Sequence, residues 1–332
     1  MCGPMSAAAE LASAFDPTPY VNPELRPSVA ALRAHLGKSR LDEQTLAEQR
    51  RQAVAPRPLT APAWSERLVP GPRGAPDVRV YIINSGAHGG GLRPAILHIH
   101  GGGFVLGDAK SGIRANQELA AAVDAVIVSV DYRLAPETRF PGSLEDNYAA
   151  LTWLHAHAAE LGADRTRLAV LGESAGGGHA AMLAIAARDR GEIPIAYQAL
   201  VYPMLDDRTG STRKKPPYQG ALIWDEQRNR FGWSSLLGVP AGSGKVPDGS
   251  VPARMENLKG LPPAFIGVGS IDLFVDEDIE YARRLIDAGV PVELTVVPGA
   301  FHGFESVGQT ALGKAFKSDL QSALRGALWE RR

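Results

Sequence analysis

The sequence predicts an α/β protein, a mostly parallel sheet of about eight strands with helices on both faces. Two observations lead there. Apolar runs of strand length recur between Trp64 and Val297, and most of the gaps between them carry helical periodicity. Several of the runs are almost unbroken in their apolar residues, the pattern of strands covered on both sides and therefore paired in parallel.

Residues 1–60 come first. They are rich in Ala, Leu, Glu and Arg, are broken by proline, and read as short helices without strand alternation. The strand candidates follow: "WSERLV" from Trp64, "DVRVYII" (77–83), "PAILHIH" (94–100), "AVIVSV" (125–130), "RLAVLG" (167–172), "AYQALVY" (196–202), "PAFIGVG" (263–269) and "VELTVV" (292–297). Among the helices, "SLEDNYAALTWLHAHAAELG" is expected to open with a capping box of Ser143 and Asp146 and to close at Gly162. "DEDIEYARRLIDAG" (276–289) carries acids in its first turn and glycine at its end, and "ALGKAFKSDLQSALRGALWERR" makes a last amphipathic helix. Residues 205–245 break the alternation, being polar, proline-bearing and aromatic with no strand pattern. They are read as a cap insert over the carboxyl ends of the strands. The organisation expected is therefore N-terminal cap helices (1–60), a first part of the α/β core (61–204), the cap insert (205–245) and the rest of the core (246–332).

The chain has 332 residues and a formal net charge of −1, which gives nucleic-acid binding no electrostatic support. One cysteine, Cys2, permits no intrachain disulfide. The opening "MCGPMSAAAELASAFDP" lacks the basic start and continuous apolar centre of a secretory signal. No apolar run approaches the roughly 20 residues of a bilayer span. The expectation is a cytoplasmic protein without stable membrane insertion.

The chemistry concentrates at three loops. In "LAVLGESAGGGHAAML" (168–183) an apolar strand runs through Gly172-Glu173-Ser174-Ala175-Gly176 straight into a helix. This is G-x-S-x-G in its strand–turn–helix setting, where small neighbours let a sharp turn lift the Ser174 hydroxyl above the sheet. A nucleophilic serine needs a base, and the base needs an orienting acid. Seven of the eight histidines lie at or before residue 179, leaving His302, in the loop "VVPGAFHGFE", as the one that follows both the serine and an acid. For the acid, "IGVGSIDLFVDEDIEYARRL" offers Asp272, Asp276, Glu277 and Asp278. The last three fall at the start of a helix, where acids suit the dipole. Asp272 lies in the loop directly after a strand and is preferred.

Upstream, "HIHGGGF" ends another strand in three glycines. The N–H groups of Gly102, Gly103 and Ala175 are the candidate oxyanion hole, each donor worth roughly 3–4 kcal/mol to an acyl-transfer transition state. A phosphate-cradling reading fails on spacing, because Leu106 stands where G-x-G-x-x-G requires glycine. His155 and His157, two apart on a helix, match no metal-ligand spacing. His100 is expected to orient the glycine loop, and His179 to be a core residue.

Together these motifs resemble the hormone-sensitive-lipase-like branch of the α/β-hydrolase esterases. The resemblance rests on "HGGGF" (100–104), "DYRLAPE" (131–137), "FPGSLEDNYAALTWL" (140–154), "GESAGG" (172–177), "YPMLD" (202–206), "DLFVDE" (272–277) and "FHGF" (301–304), in the family's order. It implies the α/β-hydrolase fold and a cap of N-terminal helices plus an insert. It also implies cofactor-independent hydrolysis of small-molecule carboxylic esters of short to medium acyl length through an acyl-enzyme on Ser174. It places Asp272 and His302 beside that serine. Some members pair through the last strand and helix, so a homodimer is one expectation. Two departures stand out: Glu173 precedes the serine where many members have Asp, and Leu273 follows the acid where proline is common. Rival readings are an amidase or acyltransferase on the same three residues, and a binding protein that uses the fold without catalysis.

Overall fold

All eight strand-length runs form strands of one sheet. The computed structural model describes residues 15–36, 40–52, 55–86, 89 and 91–329. The strands are β1 Trp64–Val69, β2 Val78–Ile83, β3 Arg93–Ile99, β4 Val126–Asp131, β5 Ala163–Glu173, β6 Tyr197–Val201, β7 Ala264–Gly269 and β8 Val292–Val297. The helices among the described residues are α1 Val29–Leu36, α2 Leu46–Gln52, α3 Ile113–Val123, α4 Gly142–His157, α5 Ala175–Arg190, α6 Glu226–Leu237, α7 Val275–Asp287 and α8 Ala311–Leu328, with short 3-10 turns between.

The sheet order is β1-β2-β4-β3-β5-β6-β7-β8. β2 runs antiparallel to both β1 and β4, and the other neighbours are parallel. The unbroken apolar strands are the ones covered on both faces: every residue of β3, β6 and β7 is buried. Successive side chains on a strand point to opposite faces, so Leu97, Val128, Val170 and Ile266 enter a core cluster with Leu151 of α4 and Met182 of α5. Their neighbours Ile96, Ile127, Leu171 and Phe265 enter a second cluster with Ile113 of α3 and Phe316 of α8. Each fully buried side chain of this kind contributes about 1.5–3 kcal/mol. No helix among the described residues is long and apolar enough to cross a membrane.

One expectation needs correction. The capping box is not made. α4 starts on Pro141 without a side-chain cap, which puts Ser143 inside the first turn. Asp146 is buried and accepts instead from the Arg133 backbone N–H at 3.0 Å, Nε at 2.8 Å and Nη2 at 2.7 Å, ordering the "DYRLAPE" segment. Residues 205–245 are read from the sequence as a cap insert without a strand pattern. They contain α6, capped by Asp225, whose carboxylate accepts from Arg228 N at 2.8 Å, and stopped by Gly238 at φ 71°.

The insert is fastened to the N-terminal residues. Gln227 Nε2 donates to Leu41 O at 2.7 Å, and Tyr218 stacks on Tyr20 with ring centroids 4.5 Å apart. Of the N-terminal helical reading, residues 1–14, 37–39 and 53–54 lie outside the described residues. The carboxyl ends of β3, β5, β7 and β8 lead into residues 100–104, Ser174, Asp272 and His302 respectively. In an open parallel sheet that edge is where ligands bind.

Candidate active site

The turn from β5 into α5 holds Ser174 at φ 57° and ψ −122°, a conformation that costs a non-glycine residue of order 1–3 kcal/mol. Its backbone is pinned on both sides. Ser174 N donates to Val201 O at 2.9 Å, and its carbonyl accepts from Gly178 N at 3.0 Å and Met204 N at 2.9 Å. The helix behind it approaches β3 so closely that a Cβ on Gly176 would stand 2.0 Å from Ile99 O, so only glycine fits there.

The three loops meet. Ser174 Oγ lies 2.8 Å from His302 Nε2, and His302 Nδ1 lies 2.8 Å from Asp272 Oδ2. A carboxylate only accepts, so Nδ1 carries the ring proton and Nε2 is left to accept from the hydroxyl. The other oxygen of Asp272 accepts from Phe274 N at 3.0 Å. The imidazole is braced edge-on by Tyr202 at 4.6 Å and Phe274 at 5.2 Å. Tyr202 OH in turn donates to Glu305 Oε1 at 2.7 Å, tying the end of β6 to the histidine loop. Ser174 and His302 are 7% and 6% exposed and Asp272 not at all.

Beside the serine lies the glycine loop. Gly102 and Gly103 have φ 117° and 60°, and among the described residues neither their N–H groups nor that of Ala175 donates to a partner in the chain. His100 Nδ1 donates to Gly101 O at 2.8 Å while its ring stacks on Tyr132, whose hydroxyl donates to His100 O at 2.9 Å. Burial holds the His100 imidazole below its ordinary range, so it orients the loop as a neutral ring. Arg50 of α2 clamps the loop from the far side. Its Nε donates to Val105 O and its Nη2 to Ala135 O, both at 2.8 Å, and it pairs with Glu137 through two nitrogens. A Cβ on Gly103 would stand 2.1 Å from the Trp224 ring. Gly103→Ala is therefore expected to add about 1–2 kcal/mol of backbone strain and to lower kcat about 10²–10³-fold. Steady-state kinetics on a small ester checks this, and an unchanged kcat would contradict it.

Glu173 makes a contact of its own kind. Its Oε2 lies 3.0 Å from His98 Nε2, while His98 Nδ1 faces Asn116 Nδ2 at 3.0 Å and Ser129 Oγ at 2.8 Å. An amide nitrogen only donates, so Nδ1 accepts and Nε2–H points at Glu173. Burial raises the Glu173 carboxyl, but the His98 ring and its hydrogen bond outweigh this and hold it below the usual range. His179 is buried against Phe104 and Tyr132, and burial pushes it down to about 3, which fits a neutral core residue and not a base.

The acids at the start of α7 do more than the sequence reading gives them. Asp276 pairs with Lys215 Nζ at 2.7 Å. Glu277 is buried, and its Oε1 accepts from Leu205 N at 2.7 Å and Asp206 N at 3.0 Å, fastening the chain that leaves β6. Asp278 is fully buried, and neither carboxylate oxygen has a partner among the described residues. Burial, then the Glu277 and Asp272 charges, push the Asp278 carboxyl well above its ordinary 3.8, with Lys215 pulling the other way. A raised acid binds more protons folded than unfolded, so its contribution is present below about pH 4 and is lost as pH rises through the folded value. Asp278→Asn should thus gain in Tm over the parent protein progressively as pH rises above about 4. A gap in Tm independent of pH would contradict this. The only sequence signal was an acid-rich helix start, which equally fits a solvated first turn.

Comparison with known proteins shows the family to which this chain belongs. Residues 96–306 match the family described as alpha/beta hydrolase fold. Esterase LipI of Mycobacterium tuberculosis is 40% identical over 216 residues, covering 64% of this chain and 65% of LipI, so the match spans just under two thirds of that relative. Ethyl acetate hydrolase of Pseudomonas putida is 34% identical, covering 64% of this chain and 67% of that protein. Among solved structures, a bacterial heroin esterase superposes with a TM-score of 0.84 at 35% identity, covering 94% of this chain and 99% of the other. The chain belongs to the α/β-hydrolase-fold family, in its hormone-sensitive-lipase-like carboxylesterase branch.

Proposed function

We propose that the protein is a carboxylic ester hydrolase acting on small esters of short to medium acyl length, with Ser174 as nucleophile, His302 as base and Asp272 as orienting acid. The observation that carries this is the continuous hydrogen-bonded line from Asp272 through His302 to Ser174 beside three unpartnered amides. Ser174 Oγ attacks the ester carbonyl carbon while His302 Nε2 takes the hydroxyl proton. Charge develops on the carbonyl oxygen, which Gly102, Gly103 and Ala175 N–H receive. The bond to the alcohol oxygen then breaks, and the proton on His302 passes to that oxygen. Water attacks the acyl-enzyme by the same route, its proton going to His302 and then to Ser174 as the acid departs.

The short-acyl reading is supported by the Trp224 ring against Gly103 and by the name of the Pseudomonas relative. Residues 205–245 and the N-terminal helices form the cap in this proposal. A cytoplasmic location belongs to it too, since the single cysteine fits a reducing compartment. So does a homodimer, for β8 is a sheet edge carrying exposed Leu294 and Val296. Sedimentation would test the pairing.

A fluorophosphonate probe together with p-nitrophenyl esters from acetate to laurate, and matching anilides, tests the activity. Stoichiometric labelling of Ser174 and a rate maximum at short acyl chains are expected. No labelling of folded protein would favour a binding role, and preferred cleavage of anilides would favour an amidase.

A further inference from the structure

We propose that Ile223 and Trp224 divide the substrate cleft, Ile223 limiting the alcohol group and Trp224 limiting the acyl group. This rests on the ester-hydrolase reading above. The two residues are adjacent in sequence yet face different parts of the site. Trp224 N donates to Leu222 O at 2.8 Å, and Ile223 between them has φ 64°. That is a γ-turn of the rare positive-φ kind, and a β-branched residue at its centre is a steric outlier. Such strain persists only where the surroundings over-determine it.

The surroundings are visible on both sides. Ile223 packs with the cluster that holds Tyr202, Phe301 and Phe304, and its Cδ1 is 3.8 Å from where a Cβ on Gly303 would stand. Trp224 enters the cluster of Phe104, Met204 and Trp233, with its ring edge over Gly103. Its indole Nε1 donates to Asn229 Oδ1 at 3.3 Å, and Asn229 Nδ2 donates to Thr209 O at 2.8 Å, which fixes the ring. Just upstream, Gly220 N donates to Ile271 O at 3.1 Å, holding the strap to the loop of Asp272. The γ-turn thus spans the reacting centre, one side chain at the histidine loop and the next at the glycine loop.

Chemistry assigns each side its substrate group. The developing oxyanion must face the Gly102, Gly103 and Ala175 amides, and the alcohol oxygen must face His302 Nε2, which protonates it. The group beside Gly303 is therefore the alcohol, and it meets Ile223. The acyl carbon takes the remaining direction, away from His302 along the glycine loop, and it meets Trp224.

The test compares kcat/KM in two ester pairs: cyclohexyl acetate against ethyl acetate, and ethyl hexanoate against ethyl acetate. Ile223→Gly, which also tolerates φ 64°, should raise the cyclohexyl-to-ethyl ratio about tenfold and change the hexanoate-to-acetate ratio by less than about twofold. Trp224→Ala should do the reverse. The milder Ile223→Val and Trp224→Phe must shift the same ratios in the same directions, so an unfolded first variant does not spare the proposal. Equal shifts of both ratios by one variant, shifts in the swapped order, or no shift in variants that still label with fluorophosphonate would overturn the division while leaving the hydrolase standing. A wild-type protein that neither labels nor cleaves any of the esters would remove both.

Discussion

Ser174→Ala is expected to lower kcat on p-nitrophenyl acetate by about 10⁴–10⁶-fold with little change in KM. The size follows from what remains. The glycine loop and Ala175 amide still face the carbonyl oxygen, and such donors with substrate binding alone leave roughly 10³–10⁴-fold catalysis over water. What is lost is the covalent step, because among the described residues His302 Nε2 has no hydrogen-bond partner besides the Ser174 hydroxyl 2.8 Å away. Alanine inherits the same φ of 57°, so the turn is no easier for it, and far-ultraviolet dichroism should match the parent protein. The measurement is burst and steady-state release of nitrophenol. A variant retaining more than about one part in a hundred of the rate would move the nucleophile elsewhere.

Asp272→Asn should cost about 10⁴-fold in kcat, and the structure explains why the amide cannot evade the loss by rotating. Asp272 Oδ1 accepts from Phe274 N at 3.0 Å. An asparagine must place its oxygen there, since its NH₂ would meet another donor. The NH₂ then lands opposite His302 Nδ1 and forces that nitrogen to accept. The ring proton moves to Nε2, which can no longer take the hydroxyl proton of Ser174. Asp272→Glu, which keeps the charge but misplaces it, should lose less. If the asparagine variant stays within about tenfold of the parent, the line from Asp272 to Ser174 does not carry the chemistry.

Much of this molecule is legible from sequence because its strands are buried on both faces. An apolar run such as "PAILHIH" has few other fates, and every one of its seven counterparts along the chain pairs in the sheet. The line of three site residues is legible for a different reason: the order of serine, acid and histidine, together with a single histidine near the end of the chain, leaves little choice. Contacts between distant segments are where the sequence is silent. Asp146 looks like part of a helix cap and instead serves Arg133, because α4 begins two residues too early for Ser143 to act. Glu277 looks like a dipole partner and instead receives the backbone of Leu205 and Asp206 from another layer. The signals for α6, Asp225 and Gly238, are present, but the polar and aromatic residues between them hide the periodicity. Nothing local marks Ile223 for a positive φ, which packing against two separate loops imposes.

Arg50 gives the N-terminal region a standing out of proportion to its size. An Arg50→Ala variant would retain all eight strands together with Ser174, His302 and Asp272, and its melting behaviour would change modestly, by the few kcal/mol that hydrogen bonds from a charged group supply. Its amide loop, however, would be moored on one side only. Drift of those N–H vectors by a fraction of an ångström is enough to squander orientation. Screens that rank variants of this arginine by heat tolerance alone would keep proteins that fold soundly and turn over slowly.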